Sequence, residues 1–86
     1  MATPVIAIFS GNNATSGAVA VNGPGGGGSL VPGVLQGDKI LEVLNIANGT
    51  DLTSDFALIV PANGIIVQIA GSLGGLTLLA LLTRGG

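Results

Sequence analysis

The sequence predicts an all-β fold, a small antiparallel β-sandwich or barrel with a flexible Gly-rich N-terminal arm, and three observations predict it. Short runs rich in Val, Ile and Leu recur with turn residues between them every ~8–12 residues, the rhythm of small sandwiches and barrels. Hairpin chemistry stands between those runs at Asn48-Gly49 and Pro61-Ala62-Asn63-Gly64, where Asn-Gly supplies the positive φ angles of a tight turn. The leucine-rich stretch nearest to a helix, Leu73 to Thr83, lacks an N-cap and begins on Gly74-Gly75, so it reads as a strand from Leu76 to Thr83.

Pro4 to Phe9 is the first expected strand, β-branched and closed by the polar loop Ser10 to Ser16. Gly17 to Asn22 is the second, its alanines and valines alternating as in a strand with a close neighbour. Gly23 to Ser29 has no side chains to pack and reads as a linker or extended arm. A phosphate-cradling glycine loop needs a helix after it and a Lys-Ser/Thr pair, which Leu30 to Asp38 does not supply. Leu30 to Gln36 is an apolar edge segment bent at Pro32-Gly33. The organising unit follows, with strands expected over Asp38 to Ile46, Asp55 to Val60 and Ile65 to Ala70. Residues 1–29 therefore form the N-terminal strands and arm, and residues 30–86 the β-domain.

Composition sets the terms of stability. A single domain this short buries roughly 60–65% of its unfolded surface and is marginal alone. Without cysteine or histidine there is no disulfide framework, and the commonest metal ligand and general base are missing. The chain is 48% hydrophobic and 7% charged, against ~25% charged residues in an ordinary soluble domain. Such a surface is hidden against copies, a partner or a membrane. Two cations against four carboxylates exclude a phosphate-binding surface, so no nucleic acid partner is expected. Strands apolar on both sides build the core with one face and a subunit interface with the other.

The uncharged run from Gly64 to Leu82 approaches the length of a membrane span, and Gly71 with Gly75 forms a GxxxG pair. Gln68, Ser72, the mid-run glycines and the β-branched bias of Ile65 to Ile69 argue for strands instead. Met1 leads into a stretch with no basic n-region, which reads as neither signal peptide nor transmembrane helix. The sequons at Asn13 and Asn48 gain no weight without export.

Chemistry is sparse. Asp38 and Glu42 are expected to share a strand face, and Asp51 and Asp55 to flank a loop in which Asp51 bonds neighbouring backbone N–H groups. A calcium site over Asp51 to Asp55 lacks the glycine and glutamate of an EF-hand loop. No cofactor, metal or catalytic residue is assigned, and the chain reads as a non-enzyme.

Four segments carry a resemblance: Gly37-Asp38-Lys39, Gly49-Thr50-Asp51 with Thr53-Ser54 and Phe56, Ile66-Val67-Gln68, and Leu76 to Leu82. In these the chain resembles small bacteriophage virion proteins of the capsid decoration (cement) or head-fibre type, over about half its length. The resemblance implies a homotrimer at the capsid surface, bound to the major capsid protein and stabilising the shell. Candidate oligomer or capsid contacts are then Val5, Ile6, Ile8, Phe9, Leu41, Val43, Ile66, Leu79 and Leu81. The alternatives are a single-span membrane protein using residues 64–82 and a self-assembling fibre subunit pairing through strand edges.

Overall fold

The computed structural model describes residues 3–84. It contains strands β1 (Thr3–Ser10), β2 (Val19–Ala20), β3 (Lys39–Asn45), β4 (Val67–Gln68) and β5 (Thr77–Arg84), with a 3-10 turn at Thr53–Asp55. The all-β class holds. Both sheets are antiparallel, one of three strands ordered β1-β5-β3 and one of two strands, β2-β4.

β5 is the middle strand because its leucines satisfy both faces. Ala7 lies opposite Ala80 on one side of it and Val43 opposite the same Ala80 on the other, so the two alanines admit larger neighbours around them. Leu78, Ala80 and Leu82 point inward with Ala7, Phe9, Ile40 and Val43. Val21, Val31, Val34, Val60, Ile66 and Leu73 close over them from the loops and the smaller sheet, forming one core. Phe9 meets Phe56 edge to face at 5.6 Å and 77°. That geometry adds about 0.5–1.5 kcal/mol to the burial of the two rings.

β3 breaks the expected alternation. Its register against β5 shifts between Ile40 and Glu42, which leaves Leu41 as the bulged residue. Ile40 and Val43 therefore both reach the core, while Glu42 turns out to solvent. Asp38, buried, and Glu42, exposed, do not share a face as the unbroken period required.

The strand expected over Asp55 to Val60 is not one. This stretch serves two sheets in turn: Ala57 N–H donates to Val67 O at 2.9 Å, and Ile40 N–H donates to Leu58 O at 2.7 Å. Its isolated bridges, Phe56 with Gln68 and Lys39 with Ile59, seal the outer edge of β3 and tie the sheets together. β2 and β4 are likewise shorter than expected, since Ile69 and Ala70 leave the ladder to donate to Asp55 O at 2.8 and 3.3 Å.

Residues 64–82 hold β4, turns and most of β5, so the segment weighed as a membrane span is not helical. Among the described residues no helix is long and apolar enough to cross a membrane.

Gly23 to Ser29, expected as a linker or arm, closes on itself. Gly23 N–H donates to Ser29 O at 2.8 Å, enclosing two successive turns centred on Pro24-Gly25 and Gly27-Gly28. The φ values of 70° at Gly27 and 85° at Gly28 are open only to glycine without strain. Gly27→Ala is expected to lower stability by about 1 kcal/mol, read as a lower urea midpoint at constant slope. An unchanged midpoint would show that the loop is not held in this geometry.

Candidate functional site

The outer face of the three-stranded sheet is the chain's most unusual surface. Alternation along β1 and β5 sends Ile6, Ile8, Leu79 and Leu81 outward, and the register stacks Ile6 on Leu81 and Ile8 on Leu79. Leu44, opposite Leu79, extends the second row across β3, and exposed Leu41 and Ile46 flank it. Ile6 is 66% and Leu41 53% exposed, far more than a packed strand residue. Three strands of this length span roughly 300–400 Å², within the range of the largest apolar patch on a typical monomer, which is often functional. Pro4 bounds one corner of the face, and Ser10, Thr77, Thr83, Lys39 and Glu42 form a thin polar rim.

Five of the nine candidate contacts lie on this face: Ile6, Ile8, Leu41, Leu79 and Leu81. Phe9, Val43 and Ile66 lie fully inside the core, and half-buried Val5 packs against it. These four face inward because β1 and β3 alternate and because Ile66 closes the core from beside β4. Leu44 and Ile46 join the patch without having been singled out; their alternation with Val43 and Asn45 was the available signal.

Two polar anchors position this sheet. Arg84 at the end of β5 grips Asp38 with two hydrogen bonds, Nε to Oδ1 at 2.9 Å and Nη2 to Oδ2 at 2.7 Å. Arg84 Nη2 also donates to Gly33 O, and Leu35 N–H donates to Asp38 Oδ2 at 2.9 Å, so the pair staples the 33–38 loop to the sheet. The hydrogen bonds from Arg84 hold the Asp38 carboxyl below its ordinary value; burial opposes them, and the Leu35 N–H reinforces them.

The second anchor is Gln68, fully buried on β4. Its Nε2 donates to Asn12 O at 2.6 Å and Ala70 O at 2.9 Å, while its Oε1 accepts from Asn12 N–H at 2.9 Å. The loop after β1 is thereby fixed to the smaller sheet. The polar residue that interrupted an apolar run in the sequence is a structural plug.

Asp51 takes the turn role expected of it. Its Oδ1 accepts from the Thr53 hydroxyl at 2.6 Å and the Thr53 N–H at 3.0 Å, and these bonds lower its pKa. Asp51, Thr53, Ser54, Phe56 and Leu58 line an open groove of about 580 Å³. The groove offers hydroxyls and one carboxylate already engaged, without a base to activate a nucleophile. Among the described residues no group of His, Cys, Asp or Glu is placed to hold a metal ion.

Comparison with protein families, curated proteins and solved structures finds no match to this chain.

The Asp38–Arg84 pair fixes a pH dependence. A carboxyl whose pKa lies below its ordinary 3.8 in the fold contributes stability that is complete above that value and is lost as the pH falls through the folded one. Arg84→Met removes the hydrogen bonds that depress Asp38 and leaves only its burial cost. Urea midpoints from about pH 5 to pH 2 are expected to fall steeply in the natural chain and less steeply in the variant, which is already less stable at pH 7. Parallel acid slopes would remove the pair from the account.

Proposed function

We propose that this chain is a non-enzymatic structural protein that decorates and stabilises a bacteriophage capsid. In this reading it acts as a homo-oligomer bound to the major capsid protein at the virion surface, and the resemblance implies a trimer. The observation that carries the reading is the outer apolar face: a domain with one completed core keeps a second row of leucines and isoleucines uncovered. In this reading the two antiparallel sheets about one core act as a small β-sandwich whose outer face is the contact surface.

The mechanism is interface physics. Each copy covers part of its outer face against copies and part against the shell, and many modest contacts add through multivalency. No cofactor is required.

Co-sedimentation with assembled shells tests the reading. The chain is expected to pellet with shells and not with unassembled capsid subunits. Leu81→Thr, which keeps a strand-forming residue in β5 but removes apolar contact, is expected to weaken binding about tenfold with an unchanged β circular-dichroism spectrum. Equal binding to free subunits, or an unaffected variant, would contradict it.

A further inference from the structure

The edges of the three-stranded sheet are treated differently. β3 is sealed by residues 50–60, with Asn45 N–H donating to Thr50 O at 2.9 Å, Leu52 N–H to Val43 O at 2.8 Å and Val43 N–H to Thr53 Oγ1 at 3.0 Å. β1 has no such cover along most of its length. Ser10 N–H donates away from β5, to Asn22 O at 2.8 Å, whereas Gly11 N–H donates to Leu76 O at 2.9 Å, beside β5. Counting back by two along the strand, Phe9, Ala7 and Val5 face β5, and the N–H and C=O groups of Ile8 and Ile6 point to the open edge. Among the described residues, the bridge at Ser10 is the one closure of that edge.

Natural sheets blunt an open edge with lysine, a bulge, an inward charge or proline. β1 carries only Pro4, at its start. Its sequence, TPVIAIFS, has no charge, and all four carboxylates of the chain lie elsewhere, at Asp38, Glu42, Asp51 and Asp55. Two copies of β1 approach without a like-charge pair between them despite the net charge of −2.

We infer that β1 pairs with β1 of a second copy, antiparallel across a two-fold axis at Ile6, joining two three-stranded sheets into one. The two-residue spacing of the open groups is self-complementary: the N–H and C=O of Ile6 in each copy exchange hydrogen bonds with those of Ile6 in the other, and each Ile8 N–H meets the Pro4 C=O of the other copy. Pro4 ends the ladder, the segment at Asn22 bounds its other end, and the sealed edge of β3 stops the pairing at two chains. The outer faces become continuous, with Ile6 and Ile8 of both copies at the centre. The inference rests on the self-associating reading and adds to it a two-fold contact distinct from any contact through the outer face. A short strand pair is weak alone, but copies held close on a shell raise its effective concentration.

Single-cysteine cross-linking in the full chain tests it, because the natural sequence has no cysteine. Ile6→Cys is expected to give a disulfide-linked dimer under mild oxidation, since residues facing across a strand pair lie ~5 Å apart. Leu81→Cys is expected to give none, because two strand spacings beyond the pair place its copies about 14 Å apart. Ile6→Pro, which removes an N–H that the domain's own sheet does not use, is expected to halve the mass of the two-fold species while keeping the β spectrum. Cross-linking through Cys at 81 and not at 6 would overturn edge pairing and leave association through the outer face standing. A monomer at all concentrations would overturn both.

Discussion

The rest of the structure depends on one constraint: β5 is apolar on both sides and has only one core to fill. Leu78, Ala80 and Leu82 are buried among Phe9, Val43 and the loop valines, and this half of the strand accounts for the fold. Leu79 and Leu81 point the other way, beside Ile6, Ile8 and Leu44, with Glu42 opposite Leu81 on β3. At 7% charged residues the chain has few charges with which to cover that side. The surface left open is a property of the composition, expressed through the alternation of a single strand.

Polar groups are spent where loops must be fixed. Gln68 binds the loop after β1 through both its amide atoms, and Asp38 with Arg84 binds the 33–38 loop to the end of β5. Among the described residues no buried side-chain polar atom lacks a partner. An unsatisfied buried group costs about 1–3 kcal/mol, a large fraction of what a domain this small has to offer. Both anchors sit at the ends or flanks of the main sheet, away from the apolar rows of its outer face.

The three long strands were legible because period and turn chemistry agree over them. The expected Pro4 to Phe9, Asp38 to Ile46 and Leu76 to Thr83 match β1, β3 and β5 closely. The bulge at Leu41 was not legible, since the apolar pairs Ile40-Leu41 and Val43-Leu44 read as a strand apolar on both faces and no turn residue marks a break. Residues 55–60 look like a strand locally but divide their hydrogen bonds between two sheets, a tertiary choice that overrides β propensity. The partnership of Asp38 with Arg84 spans more than half the chain and has no local signature. Of the candidate contacts, the outward members of β1 and β5 were recoverable from parity. Phe9, Val43 and Ile66 have the same composition but the opposite parity or setting, and composition alone does not separate them.

The account's central claim is that the outer face of the main sheet is an interface in the working protein. Sedimentation equilibrium in detergent-free buffer measures this most directly. A discrete soluble oligomer is the predicted result, its mass an integral multiple of the 8.3 kDa chain and falling towards that of one chain on dilution. A chain that stays monomeric at every concentration, or that remains in solution only with detergent, would contradict it.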